Sequence, residues 1–129
     1  MKKIGKAFES VLLCLLLLSV GSFVITYMIT GVPTIFGYRL FFVVTDSMKP
    51  VYTKGTVLIT VPVKTDTLII NEIYAYRAGK KDTGINPIVV HRLVDIDEDK
   101  YIFKGDNNAA PDKAVCKEQI LYRIIYPKQ

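Results

Sequence analysis

Histidine is almost absent from this chain: its 129 residues include one, His91. A metal centre built on several histidines is therefore excluded, and no cluster of cysteines replaces it. The two cysteines, Cys14 and Cys116, stand at opposite ends, one in an apolar stretch and one near the far end. They are expected to lie in different phases and not to pair or share a ligand. No metal or cofactor is expected. Charge is missing altogether between Glu9 and Arg39. Long basic runs are missing after residue 9. Of the net charge of +5, three lysines against one glutamate fall in residues 1–9, which leaves 14 Lys and Arg against 11 Asp and Glu. With no nucleic-acid fingerprint beside so small an excess, no nucleic-acid partner is expected.

What remains is rich in apolar residues. Half of the chain is hydrophobic and 22% is charged, a balance that folds rather than stays disordered. The uncharged window contains Val11 to Ile29, 19 residues that as a helix would span roughly 28 Å, the thickness of a bilayer core. Leu12, Leu13 and Leu15 to Leu18 dominate its first half, and Tyr27 suits a headgroup boundary. Lysines precede it and none follows in residues 30–38. The positive-inside rule then places the first residues in the cytoplasm and residue 31 onward outside. A cleaved signal peptide is the rival reading, with Ser19-Val20-Gly21 as a weak cleavage site. The length of the run, and the lack of alanine between Ala7 and Ala75, favour a retained anchor. The expected organisation is a cytoplasmic basic terminus at 1–9, a transmembrane anchor at 10–30 and an extracytoplasmic domain at 31–129.

Past the joint at Thr30 to Gly37 the pattern becomes that of strands. Tyr38 to Thr45 is aromatic and β-branched, and Lys54-Gly55 marks a turn. Thr56 to Val63 is a second run, whose Pro62 points to an edge or a strand end. Glu72 to Ala78 alternates as a half-buried strand would. Gly79 to Gly84 reads as a hairpin tip. Ile88 to Ile96, Tyr101 to Lys104 and Ile120 to Tyr126 complete the set. Five or six short strands with no competing long helix predict a mainly β protein: a compact all-β domain of short antiparallel strands behind one N-terminal transmembrane helix. The chain runs to Gln129 without a second apolar run, so single-span anchoring is expected.

Few residues offer chemistry. On a strand, His91 shares its face with Val89 and Leu93, and a histidine so placed is by default structural. Ser47 follows a strand in Thr45-Asp46-Ser47-Met48-Lys49-Pro50. Pro50 disfavours the helical region at Lys49, so the strand is expected to end in an extended or turning segment able to expose the hydroxyl. A turn serine is the ordinary alternative. Gly105-Asp106-Asn107-Asn108 favours a tight turn, and Asp112 comes six residues after Asp106. Taken jointly these supply a nucleophile, a base and an orienting carboxylate. A serine hydroxyl needs an imidazole to take its proton. A carboxylate then fixes the ring tautomer and stabilises the imidazolium.

Ser47-Met48-Lys49-Pro50 resembles the S-M-x-P box of the signal peptidase I family. Val90-His91-Arg92 resembles its second catalytic box, and Gly105-Asp106-Asn107-Asn108 its G-D-N-N box, in the family's order behind one anchor. The resemblance covers roughly residues 10–126. Histidine in the second box, where typical bacterial members have lysine, resembles the branch found in the endoplasmic reticulum, archaea and sporulating Gram-positive bacteria. This resemblance implies a serine endopeptidase that removes signal peptides from exported preproteins. Ser47, His91 and Asp112 would form its triad, with Asp106 as the competing carboxylate. It implies an oxyanion hole from the Ser47 N–H and the Thr45 hydroxyl, and substrate contacts near Met48 and Pro50. A core role for Met48 remains open. Tyr38, Leu40, Phe41 and Phe42 are expected chiefly as core, with a bilayer-facing role as the alternative. Expected partners are preprotein signal peptides, membrane lipid and the secretion machinery. The expected location is the cell membrane, single-pass. Two rivals stand: a non-catalytic single-span β-domain that binds a partner, and a peptidase whose base is a lysine such as Lys80 or Lys81.

Overall fold

A computed structural model describes residues 2–30, 34–63, 68–79 and 87–128. The chain divides into two units, residues 1–39 and 40–129.

The first unit is dominated by the helix α1, Lys2–Thr30. The helix extends toward the N-terminus past the apolar run, where Lys, Ala and Glu are good helix formers. Gly5–Ile29 is long and apolar enough to cross a membrane. Its apolar side chains are exposed, Leu17 at 62% and Leu18 at 61% among them. A helix apolar all round has no polar side to offer water, which suits lipid as its surroundings. Ser10, Ser19 and Thr26 return their hydroxyls to helix carbonyls one turn back, so no side-chain hydroxyl of these three is left unpaired in that setting.

The second unit is a curled antiparallel sheet. Its strands are β1 (Arg39–Phe42), β2 (Val57–Pro62), β3 (Ile73–Arg77), β4 (Ile88–Asp97), β5 (Lys100–Lys104), β6 (Val115–Cys116) and β7 (Ile120–Tyr126). Their order is β1-β2-β7-β3-β4-β5-β6. The mainly β expectation holds, with seven strands among the described residues. The two-residue β6 and the 3-10 turn Lys117–Gln119 after it carry too little pattern to be foreseen.

Two expectations change, those for β3 and for β1, and one alternative is decided. β3 is not half-buried: Ile73, Tyr74, Ala75 and Tyr76 are all at most 1% exposed. It lies inside the sheet between β7 and β4, and both of its faces are covered. Of the two alternatives for Pro62, the strand end holds: it closes β2, which is an inner strand. Leu40 and Phe42 are not core, being 55% and 66% exposed, because they project from the outer face of the edge strand β1. Of the expected hairpin tip at 79–84, all but Gly79 lies outside the described residues.

Pairing fixes which side chains meet. Tyr74 stands opposite His91 across β3–β4, and Leu93 opposite Phe103 across β4–β5. Opposed residues in an antiparallel pair share a face. Tyr74, Tyr76, Leu93, Phe103, Val115 and Ile120 accordingly make one apolar cluster, and His91 projects into its rim. Tyr76 stacks on Phe103 with centroids 4.3 Å apart, and Tyr74 meets the same ring edge-on. Phe103→Ala should lower stability by about 3–5 kcal/mol. Leu40→Ser on the open edge should change it by no more than about 0.5 kcal/mol. Chemical denaturation of the full chain in detergent measures both.

Candidate active site

Ser47 sits in a loop closed at its base by backbone bonds. Val43 N–H donates to Thr56 O, and Gly55 N–H to Val43 O. Gly55 has φ +93°, a conformation that an L side chain resists. Two apolar side chains root the loop, Met48 at 1% exposure and Tyr52 at 2%. The Tyr52 hydroxyl donates to Pro127 O at 2.8 Å. Above these anchors Asp46 and Lys49 pair at 3.0 Å on the surface. Lys49 holds the Asp46 carboxyl below its usual range, a contact that water screens heavily.

The segment after β5 reaches into this loop. Asn107 N–H donates to Ser47 O at 2.8 Å, and Asn107 Nδ2 to Asp46 O at 3.2 Å. Gly105 allows the approach. A Cβ there would lie 2.6 Å from Ser47 O and 2.7 Å from Asn108 Nδ2, far inside van der Waals contact.

The structure brings Ser47, His91 and Asp112 together. Ser47 Oγ is 3.1 Å from His91 Nε2, and His91 Nδ1 is 2.5 Å from Asp112 Oδ2. Thr45 Oγ1 is 3.0 Å from Ser47 Oγ. His91 is 6% exposed and Asp112 retains 28% side-chain exposure. An ionised Asp112 accepts from Nδ1–H, which leaves Nε2 with its lone pair toward the serine. The Ser47 hydroxyl then donates to Nε2, and Thr45 donates to Ser47. Such an arrangement can take a proton from an alcohol as the alcohol attacks a carbonyl.

Asp106 is placed elsewhere. Its carboxylate accepts from Arg92 Nε at 2.8 Å and Arg92 Nη2 at 2.7 Å, and Arg92 Nη1 donates to Asn71 O. Successive residues of a strand project to opposite faces, so a carboxylate that grips Arg92 is not on the face of His91. Met48, expected beside a substrate, is a core side chain, while Pro50 is exposed. Lys80 and Lys81 lie outside the described residues. Among the described residues no three His, Cys, Asp or Glu side chains are grouped as metal ligands.

One residue near the set was not foreseen. The Tyr76 hydroxyl donates to Asp112 Oδ2 at 2.6 Å. Burial foremost, and then the hydrogen bond to Asp112 and its charge, push the phenol far above its ordinary range, so it stays a donor. The sequence shows only one tyrosine among eight; the β3–β4 register, which puts Tyr76 two residues from the partner of His91, is what picks it out.

An alcohol, an imidazole and a carboxylate in line describe the class of the site. The comparisons then show what the chain is similar to. Signal peptidase I W of Bacillus subtilis is 33% identical over 96 residues, 69% of this chain and 47% of that protein. The signal peptidase complex catalytic subunit SEC11C of Homo sapiens, and likewise that of Canis lupus familiaris, is 30% identical over 81 residues, 59% of this chain and 40% of each. The chain thus spans less than half the length of these relatives. No family model matches the chain, and no solved structure does. The relatives are signal peptidases, and they support assigning the chain to the signal peptidase I family. Among the described residues, the single apolar helix near the N-terminus fits a membrane-anchored protein.

Gly105→Ala should force the Ser47 carbonyl aside. A misplacement near 1 Å costs about a hundredfold in rate, and the overpacking costs about 1–3 kcal/mol in stability. Reporter cleavage and denaturation of the purified variant read the two effects separately.

Proposed function

We propose that this protein is a membrane-bound serine endopeptidase that cuts signal peptides from exported preproteins, with Ser47 as nucleophile, His91 as general base and Asp112 as orienter. The observation that carries the reading is the continuous contact from Ser47 Oγ through His91 to Asp112 Oδ2. As Ser47 Oγ attacks the scissile carbonyl, its proton passes to His91 Nε2. Asp112 stabilises the resulting imidazolium. His91 then returns the proton to the leaving amine. Water hydrolyses the acyl-enzyme by the same route in reverse.

The developing oxyanion needs fixed donors. The Ser47 N–H and the Thr45 hydroxyl fill that role, the latter by turning from Ser47 Oγ to the oxyanion. Substrate is extended and adds to the open edge of β1, which leads into the nucleophile loop. Pro50 lies on the exposed side of that loop. Asp106 is a structural carboxylate on this reading: it keeps Arg92 paired and the 105–108 turn in place.

The anchor spans residues 10–30, with residues 1–9 cytoplasmic and residues 31–129 outside the cell membrane. The lysines at the start support that orientation. Signal peptides carry their own apolar segment in the same bilayer, so lipid confines enzyme and substrate together, in proximity to the secretion machinery.

Ser47→Ala should reduce cleavage of a reporter preprotein by at least about a thousandfold. Asp112→Asn should reduce kcat by about 10³–10⁴ with the fold intact, since the imidazole is left in the wrong tautomer. Asp106→Asn should instead act chiefly on stability. Cleavage by Ser47→Ala at the wild-type rate would reject the enzyme reading, and full activity of His91→Ala would move the base elsewhere. Orientation is read from Cys116, which is exposed. In a Cys14→Ser background a membrane-impermeant maleimide should label Cys116 on intact cells, and protection until lysis would reverse the assignment.

A further inference from the structure

Asp112 lies on an irregular segment between β5 and β6. Its backbone is tied by Asp112 N–H donating to Phe103 O at 2.7 Å, but a carboxylate can still rotate about its own side-chain bonds. Tyr76 supplies a fixed point. The tyrosine is 1% exposed, stacked on Phe103 and tilted against His91 with centroids 6.4 Å apart. Its hydroxyl ends on Asp112 Oδ2, the same oxygen that His91 Nδ1 meets.

We propose that Tyr76 is a positioning residue for catalysis: its buried hydroxyl holds Asp112 Oδ2 against His91 Nδ1 and tempers the charge that the carboxylate presents to the ring. The proposal rests on the triad reading and deepens it. A donor on a carboxylate oxygen draws off part of its negative charge. Without that donor the carboxylate stabilises the imidazolium more strongly, yet it is also freer to turn away. The first effect raises the pH at which the ring protonates. The second lowers the fraction of molecules aligned for proton transfer.

The other groups around His91 are accounted for. Ser47 and Thr45 are at its Nε2 side. Arg92 beside it on β4 is neutralised by Asp106, and Lys104 of β5 stands opposite Arg92. On β7, Arg123 stands opposite Tyr74. Among the described residues, Asp112 is the charged group in contact with the ring.

Tyr74 provides the control. It is equally buried on the same strand and contacts the same Phe103 ring, but its hydroxyl accepts from Ile69 N–H at 2.9 Å. Tyr76→Phe and Tyr74→Phe are made in the full chain in detergent, and kcat and KM for a reporter preprotein are followed across pH. Tyr76→Phe should lower kcat roughly tenfold with KM unchanged, in the range lost when a supporting hydrogen bond to a site ligand is cut. It should also move the acidic limb of the profile to higher pH. Tyr74→Phe should leave the limb in place. Since His91 is the only histidine, its ring titration is also read by NMR in a Ser47→Ala background, where Tyr76→Phe should raise the midpoint. An unmoved midpoint, or a limb that moves equally in Tyr74→Phe, overturns the role given to Tyr76. Cleavage by Ser47→Ala alone would overturn the triad reading instead, and the NMR midpoint would still decide whether Tyr76 governs the environment of His91.

Discussion

The alternation of side chains along β4 divides the polar groups of this domain into two sets. His91 and Arg92 are neighbours in the chain and point to opposite faces. Each receives its own carboxylate from one short segment, Asp112 for the histidine and Asp106 for the arginine. The arginine therefore does not compete for the carboxylate that holds the ring. The same segment bonds Ser47 O through Asn107 N–H. A single stretch of chain thus ties down the Ser47 backbone, the ion pair and the carboxylate beside the imidazole, and the mutual placement of the three depends on β4 keeping its register.

That arrangement also explains how a surface loop presents a serine in one place. Met48 and Tyr52, one and five residues past Ser47, are sunk into apolar surroundings. The loop base is bonded to itself at Val43, Gly55 and Thr56. Burial of the anchors opposes the entropy that a loop of this length would otherwise retain. Ser47, between the anchored residues and the Asn107 clamp, has little room to move. Polar satisfaction runs through the cluster as well. The phenol of Tyr76 would be costly to bury alone, and the partner that relieves it is the carboxylate that faces His91.

Much of this was legible in the residues. The apolar run from Val11, the β-branched segments and the glycine-bounded turns follow from local rules, and all but one of the expected strands appear within a residue or so at most of their ends. Tyr38 to Thr45 is the exception, since only Arg39–Phe42 is a strand. The candidate residues Ser47, His91 and Asp112 were legible as types in sequence order, but their meeting was not, because Ser47 and His91 are 44 residues apart and only the sheet order joins them. Burial was least legible. Glu72 to Ala78 alternates like a strand with one wet face, yet β3 is interior, and its position between β7 and β4 is a long-range fact. Leu40 and Phe42 failed in the other direction: they alternate with Phe41, which packs on Tyr122, and so stand on the opposite, exposed face of β1.

A small sheet whose Asp112 carboxylate keeps 28% of its side-chain surface open is at first sight poorly equipped to grip a flexible peptide. The proposed setting removes much of that demand. When enzyme and substrate are both held by apolar segments in one bilayer, the encounter is largely intramolecular in character and its entropy is met before any contact with the sheet forms. Contacts at the site need not supply general affinity. They are free to favour the transition state over the ground state, through hydroxyl and N–H donors aimed at an oxyanion and a carboxylate fixed on a ring. On this view α1 and the Ser47–His91–Asp112 line are parts of one solution: lipid supplies proximity, and the sheet supplies alignment.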